Sequence, residues 1–341
     1  MDARVVSARL EEPAPQPFDF VSTASEHGWA YLKPFEWDEA ASELRRIHRL
    51  ASGRVARLRM REGSMGSSSV SVVVEAVGGA LTAEEEAEIR RVVRRMLRLD
   101  EDPSEFYQYC AQLDGWSLRL TPGGGRLLRC PSLFEDMVYT LCTTNVNWSG
   151  TKRMVERLVA TLGEPFPGRD DWRAFPTPQA IAAAGPDRLR QEARLGYRSA
   201  YLWQLALDVV EGRLDLGALE DPGLSTEELY RALRRIKGVG DYAASTLLML
   251  LGHYDFIGID SEAKAFVSRK YFQGQPVGEA QVRAIYEPWG RWRYLALWFD
   301  VPPHDPTTKH DITLHTTPRG VPSASSGRQD CTTKGESDDT P

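Results

Sequence analysis

Cysteine is scarce in this sequence and never occurs at a metal-binding spacing. The 341 residues include four cysteines, Cys110, Cys130, Cys142 and Cys331, and no two of them form a Cys-x-x-Cys pair. This pattern argues against a zinc site, an iron–sulfur cluster and a disulfide framework. We therefore expect buried or incidental thiols and no metal bound by cysteine.

Long apolar segments are also missing. No run approaches the ~20 apolar residues that a membrane span needs. The first residues, Met1-Asp2-Ala3-Arg4, lack the basic start and apolar core of a signal peptide. We therefore expect a cytoplasmic protein with no membrane partner.

The chain has no overall excess of positive charge. Its 42 Lys and Arg residues face 48 Asp and Glu residues, which gives a net charge of −6, whereas nucleic-acid-binding domains are usually basic. The positive residues are clustered, however, and binding depends on the field over one face rather than on the total. The clusters are Lys152, Arg153 and Arg157; Arg188, Arg190, Arg194 and Arg198; and Arg231, Arg234, Arg235 and Lys237. Each cluster alone is also typical of a solvated helix face.

The pattern along the chain predicts an α+β fold. Residues 1–17 are polar and contain proline, so we expect them to be loosely ordered. The β-branched run 70–77 predicts a strand, and the Thr82-x-x-Glu85 opening predicts a capped helix. From Pro131 onward the pattern is almost entirely helical. We infer an N-terminal domain with a small antiparallel sheet (1–125), a helical domain (126–302) and a disordered tail (303–341).

The most informative segment is 236–260. It contains a glycine turn, Gly238-Val239-Gly240, then a predicted helix over 241–251, and it ends at Asp260. Two glycines permit a tight turn with exposed amides, and the following helix N-terminus attracts anions, so the turn is a candidate phosphate site with Lys237 beside it. The alternative is a tight turn without a ligand.

The hairpin, the helix and the aspartate resemble the helix-hairpin-helix-Gly/Pro-Asp (HhH-GPD) superfamily of DNA glycosylases. The resemblance extends from about residue 129 to residue 300, and the preceding mixed domain is similar to that of the alkylpurine and 8-oxoguanine branches. It implies a monomer, associated with the nucleoid, whose partner is double-stranded DNA containing a damaged base. It also implies backbone binding by Lys237, Gly238, Val239 and Gly240.

The same resemblance implies roles for two residues of the segment. Asp260 matches the catalytic carboxylate, which stabilises positive charge on the sugar; the alternative is a helix N-cap. Tyr242 occupies the position at which some members carry a nucleophilic lysine. A phenol cannot form a Schiff base, so the resemblance implies hydrolysis without strand cleavage.

Further residues are implied by shorter matches. Asn145 matches the asparagine that fills the space left by an extruded base, and Tyr197 and Arg198 match a stacking wedge and a contact to the widowed base. A loop cap and a half-buried core aromatic are the alternatives for Asn145 and Tyr197.

The terminal helix 289–299 matches the one that contacts the base in the 8-oxoguanine branch. Its glutamine position falls on Leu297, so Trp289, Trp292 and Trp298 are the candidate pocket residues. An aromatic pocket favours cationic alkylated bases; core packing is the alternative.

We expect no cofactor, although the carbonyls of the hairpin can coordinate a monovalent or divalent cation. Together these features predict a monofunctional DNA glycosylase for a damaged purine, of alkylated or 8-oxoguanine type. The alternative is a non-catalytic helix-hairpin-helix protein that binds DNA or senses lesions.

Overall fold

The computed structural model describes residues 5–63, 68–112 and 122–301. The chain begins with a five-stranded antiparallel sheet in the order β1-β5-β4-β3-β2. Its strands are Val5–Pro13 (β1), Phe35–Asp38 (β2), Glu43–Arg49 (β3), Val55–Glu62 (β4) and Ser69–Val77 (β5). Alternate residues of β5 are buried, as expected for a sheet with one face on a core. The predicted α+β class is confirmed.

Strand β1 corrects the expectation of loose order near the N-terminus. It pairs with β5 along nine residues, from Val5 opposite Val77 to Pro13 opposite Ser69. Pro13 is tolerated because it ends an edge strand, where no ladder bond from its nitrogen is required. Residues 1–4 lie outside the described residues, as do Cys331 and the predicted tail 303–341.

Helices dominate the rest of the chain, as predicted. They are Phe20–Ser25 (α1), Ala83–Leu97 (α2), Ser104–Gln112 (α3), Leu133–Thr143 (α4), Trp148–Leu162 (α5), Pro178–Gln191 (α6), Arg198–Val210 (α7), Leu216–Leu219 (α8), Thr226–Arg234 (α9), Asp241–Leu250 (α10), Ser261–Tyr271 (α11), Glu279–Tyr286 (α12) and Arg293–Asp300 (α13). Short 3-10 helices span Gly28–Tyr31 and Glu287–Trp292. The predicted helix 289–299 is therefore interrupted, because Gly290 adopts φ +54° and ψ −123°. A two-stranded hairpin, Pro165–Phe166 (β6) with Arg169–Arg173 (β7), was also missed.

One hydrophobic core runs through both the sheet and the helices, across the boundary predicted after residue 125. A buried ion pair joins the two parts. The Arg46 guanidinium of β3 donates two hydrogen bonds, of 2.8 and 2.7 Å, to the Glu135 carboxylate of α4. The sheet is therefore docked against the helices, and the predicted boundary stays an interpretation of the sequence.

Candidate functional site

The glycine turn joins α9 to α10. The amide of Val239 donates to the carbonyl of Ile236 at 3.0 Å, and the Val239 side chain is buried. Gly238 has φ +91°, and a Cβ added there would lie 2.6 Å from Cδ2 of Tyr201. Glycine is thus required at 238 by both conformation and space.

The other turn residues differ in kind from Gly238. Gly240 caps α10 with an ordinary φ of −85°, so its backbone conformation does not demand glycine. Lys237 is exposed, and no acidic partner for it is found within the described ranges. The first amides of α10 have no side-chain cap. The turn therefore combines an exposed lysine with a helix N-terminus that has no side-chain cap, which suits an anionic ligand.

Asp260 ends the loop that follows α10. It is half-buried and forms the N-cap of α11, where Oδ1 accepts a hydrogen bond of 2.8 Å from the amide of Ala263. The cap predicted as an alternative is thus present. It fixes the carboxylate at a helix N-terminus, where negative charge is stabilised.

Gly258 explains how this loop is positioned. A Cβ at Gly258 would lie 2.3 Å from Oγ and 2.9 Å from Cβ of Ser245, and 3.0 Å from the hydroxyl of Tyr294. The loop is therefore pressed against α10 and α13, which sets the position of Asp260 relative to the hairpin helix. Sequence reasoning missed these contacts, although the Gly-Ile-Asp ending was a signal of close backbone approach.

Tyr242 lies in the first turn of α10 and is 39% exposed. Burial raises the pKa of its phenol, the nearby Asp260 carboxylate adds to the increase, and hydrogen bonds with Thr143 and Thr246 oppose it. Burial likewise raises the pKa of Tyr294, with contributions from Tyr242 and Asp260. Asp260 therefore shares its surroundings with two phenols that stay neutral at physiological pH.

Asn145 and Tyr197 meet at the protein surface. Asn145 follows α4 with φ +48°, and its Nδ2 donates to the Tyr197 hydroxyl at 3.3 Å. Tyr197 immediately precedes α7 and is 48% exposed. Although partial burial favours the neutral phenol, hydrogen bonds with Thr144 and Asn145 hold the pKa of Tyr197 below its ordinary value. The structure thus brings together two residues predicted separately to enter DNA.

Arg198 differs from its prediction. Its side chain is buried, 6% exposed, and the guanidinium donates to the carbonyls of Leu141 and Thr144. It also stacks on the Tyr197 ring, with Cζ 4.5 Å from the ring centroid. The carbonyls at the end of α4 need donors, so Arg198 is committed to holding the Asn145 loop and Tyr197 rather than projecting towards DNA.

Tyr201 connects this surface to the hairpin, and sequence reasoning missed it. Its ring packs edge-on against Tyr197 with centroids 5.9 Å apart, and its other side faces Gly238. The spacing of four residues on one helix face was the available signal. Tyr197 and Gly238 of the hairpin therefore both pack against Tyr201.

The terminal tryptophans are mostly core residues. Trp289, Trp292 and Leu297 are buried, and both tryptophan rings lie 5.7 Å from Phe106. Their assignment to a base pocket is corrected here, because these side chains are almost fully buried and both indole rings pack on Phe106. Trp298 alone of the four is half-buried; its ring lies 5.2 Å from that of His27, edge-on.

Another half-buried tryptophan lies at the same junction. Trp148 begins α5, just after the Asn145 loop, and its indole covers Gly28, where an added Cβ would lie 2.9 Å from Cη2. His27 precedes Gly28 in the chain and contacts Trp298. Burial lowers the pKa of His27 to about 4, so it is neutral at physiological pH. Trp148 and Trp298 therefore offer aromatic surface beside the 3-10 helix.

Within the residues that the structure describes, no group of three or more His, Cys, Asp or Glu side chains is arranged to hold a metal ion. No helix in those same ranges is both long and apolar enough to cross a membrane. The predicted monomeric state stays a prediction.

Comparisons with known proteins identify similar sequences and similar folds. No family model matches the chain. DNA-3-methyladenine glycosylase 2 of Escherichia coli (strain K12) is 26% identical over 174 residues, which are 51% of this chain and 58% of that protein. Only part of the relative is therefore matched.

Solved structures show the same fold. A 3-methyladenine DNA glycosylase from Archaeoglobus fulgidus superimposes with a TM-score of 0.65 and 22% identity, covering 86% of this chain and 97% of the other. An apo 8-oxoguanine glycosylase/lyase from Clostridium acetobutylicum gives a TM-score of 0.59 and 17% identity, covering 80% and 92%. The resemblance drawn from the sequence is thereby confirmed: the chain has the fold of the HhH-GPD superfamily, and its relatives there are 3-methyladenine and 8-oxoguanine DNA glycosylases.

Proposed function

We propose that this protein is a monofunctional DNA glycosylase that removes a damaged purine from duplex DNA. The observation that carries the proposal is the arrangement around Asp260. The half-buried carboxylate of Asp260 is fixed at the start of α11. It lies near Tyr242, which belongs to α10, the helix that follows the hairpin. The names of the relatives support this choice of reaction.

The chemistry follows from this arrangement. A base within a duplex is out of reach, so the nucleotide must rotate into the protein, at a cost of a few kcal/mol. The Asn145–Tyr197 surface and the hairpin would offset that cost by filling the vacated space and holding the backbone. When the N-glycosidic bond breaks, its electron pair leaves with the base and positive charge develops on the sugar. Asp260 would stabilise that charge and orient a water molecule, which attacks the anomeric carbon and passes a proton to the Asp260 carboxylate.

Strand cleavage through a Schiff base is not part of the proposal. Tyr242 has no amine, and its raised pKa keeps the phenol protonated. Lys237, the lysine nearest to Tyr242 in the sequence, lies on the turn before α10, is exposed and suits a phosphate. Borohydride treatment should therefore trap no covalent complex with abasic or damaged DNA.

The proposed substrate is an alkylated purine. Trp148 and Trp298 expose part of their faces at one junction, and aromatic faces attract cationic bases. Leu297, at the position where the resemblance places a base-reading glutamine, is buried in the core. Readout of an 8-oxoguanine edge at that position is therefore absent, and 8-oxoguanine is the alternative substrate.

A second candidate is a non-catalytic protein that binds DNA or senses lesions. The cap bond from Ala263 to Asp260 favours it, since that bond gives the carboxylate a structural role without catalysis. The two proposals predict different outcomes for Asp260→Asn, because asparagine caps helices as well as aspartate does but carries no charge.

The deciding experiment measures the release of different damaged bases from duplex DNA. Duplex oligonucleotides containing 3-methyladenine, 7-methylguanine, hypoxanthine, 8-oxoguanine or uracil are incubated with the wild type, and the released base is measured. Release of an alkylated purine supports the proposal. DNA binding with no release from any duplex would establish the second candidate instead.

A further inference from the structure

The hairpin carbonyls were expected to be possible ligands for a cation, and one of them is already occupied. The carbonyl of Val239 accepts a hydrogen bond of 2.7 Å from Nη1 of Arg234, the last residue of α9. The same guanidinium also lies against Asp241, with Nε 3.1 Å from Oδ1. Arg234 thus spans the turn from the helix before it to the helix after it.

Two further carbonyls at the turn also accept hydrogen bonds from backbone amides. Ile236 accepts from the amide of Val239, and Gly240 accepts from the amide of Ala244. A calcium ion on the Val239 carbonyl, for example, would sit at about 2.3–2.6 Å from that oxygen. Arg234 already places a positive charge at hydrogen-bond distance from it, and two cations sharing one oxygen repel each other. The residues present therefore do not fit a hairpin cation.

Arg234 also pairs with an acidic side chain beside the turn. Asp241 is exposed in the first turn of α10, where its carboxylate would repel a phosphate. Arg234 pairs with that carboxylate, and the Tyr230 hydroxyl donates to it at 2.6 Å. The acid is thus neutralised within the fold, and the amides at the turn remain attractive to an anion.

We propose that the guanidinium of Arg234 replaces a hairpin cation in this protein. It is a positioning residue: it braces the turn through Val239 and cancels the charge of Asp241, so that the grip on a DNA phosphate needs no metal. Its effect on DNA rests on the proposed function, whereas the bracing of the turn does not.

Thermal unfolding of the free protein tests the bracing without DNA. The wild type, Arg234→Gln and Arg231→Gln are melted in potassium, sodium or calcium chloride and in tetramethylammonium chloride at equal ionic strength. Arg231 is the matched control, because it lies exposed on the same helix and pairs only with Glu227 among its neighbours in the described chain. A cation that binds only the folded state raises Tm in a saturable way.

The wild type and the control should show the same Tm in each chloride, apart from a general salt effect that they share. Arg234→Gln vacates the Val239 carbonyl, so one of the small cations should raise its Tm by roughly 2–4 °C relative to tetramethylammonium. A saturable rise in the wild type overturns the proposal, and this result does not depend on the variant folding. A variant that folds but gains no cation response also overturns it.

Binding to a duplex with a tetrahydrofuran abasic analogue provides the second readout, by fluorescence anisotropy with chelator present. Wild-type affinity should be equal in potassium and tetramethylammonium salts. Arg234→Gln should lose roughly tenfold in tetramethylammonium, the order of one charge-assisted hydrogen bond, and recover part of it in potassium. Loss of wild-type affinity in tetramethylammonium contradicts the proposal. Failure of base excision would affect only the proposed function, since neither readout requires catalysis.

Discussion

The side-chain amide of Asn145 donates a hydrogen bond of 3.3 Å to the hydroxyl of Tyr197, across 52 residues of sequence. Asn145 is held in the left-handed conformation after α4, and Tyr197 precedes α7. Arg198 supports both by bonding the Thr144 carbonyl and stacking on the Tyr197 ring. The two residues therefore form one pre-organised surface rather than two separate contacts.

Two substitutions of Tyr197 distinguish the contribution of its ring to DNA binding from the contribution of its hydroxyl. Tyr197→Ala removes the stacking surface, which is worth roughly 1–3 kcal/mol per base, so binding to damaged duplex should weaken at least several-fold. Tyr197→Phe keeps the ring and loses the hydrogen bonds of the hydroxyl with Asn145 and Thr144, so it should weaken binding by no more than about threefold. Anisotropy titrations measure both. Equal losses in the two variants would show that stacking is not the role of this residue.

The two turn glycines should respond differently to alanine. Gly238→Ala places a Cβ 2.6 Å from Tyr201 at φ +91°, so it should lower the free energy of unfolding by about 1–3 kcal/mol and weaken DNA binding. Gly240→Ala is the matched control, because its φ is −85° and the nearest atom, Nη1 of Arg234, is 3.8 Å away. Urea unfolding and binding titrations compare them. A larger loss at 240 than at 238 would contradict the geometry.

The half-buried and the buried tryptophans should respond differently to substitution. Trp148→Leu and Trp298→Leu should reduce the rate of excision of a cationic purine by roughly tenfold, as expected for a lost cation–π contact, with little change in Tm. Trp292→Leu should instead destabilise the fold by about 3 kcal/mol, because Trp292 is buried and stacks on Tyr254 at 5.5 Å. Single-turnover excision and thermal melts distinguish the two groups. Normal excision by both half-buried variants would remove them from the pocket.

The lowered pKa of the Glu43 carboxyl group predicts that the stability of the protein depends on pH. Although burial opposes it, hydrogen bonds from Arg59, Arg45 and Arg61 lower the pKa of Glu43 to about 2. A lowered folded-state pKa contributes stability above the unfolded value, and this contribution is lost as pH falls from about 4.5 towards 2. Glu43→Gln should therefore cost ~2 kcal/mol near neutral pH, less than the full shift because the arginines are partly solvated.

The measurement for Glu43 is urea unfolding across that pH range. The difference between wild type and Glu43→Gln should shrink as the solution is acidified below about pH 4.5. Glu36→Gln is the control, since Glu36 is exposed and shares Arg45 with Glu43. A difference that stays constant down to pH 2.5, or a control that behaves like Glu43→Gln, would refute the assignment.

Periodicity and capping were enough to predict much of the helical half. The helix predicted over 241–251 is observed at Asp241–Leu250. Strand β1 was missed because its regularity is supplied by its partner β5 rather than by its own composition. The hairpin β6–β7 is two strands of two and five residues and gives little periodic signal.

Side-chain environments were harder to predict than elements. The charge of Arg198 suggested exposure, yet its guanidinium is buried because it donates hydrogen bonds to the carbonyls at the end of α4. Trp289 and Trp292 could not be told from ligand-binding aromatics, because burial is decided by Phe106, which lies far away in sequence. The helix cap at Asp260 was predicted from residue type and is observed, whereas the catalytic role that the resemblance implies for Asp260 stays a prediction.

Single-turnover excision by Asp260→Asn tests the central claim most directly. Asparagine preserves the cap to Ala263, so Tm and affinity for abasic-analogue duplex should match the wild type, while release of alkylated purine should fall by at least about a hundredfold. Excision by a folded Asp260→Asn protein at the wild-type rate would contradict the account, because the carboxylate would then be a helix cap and nothing more.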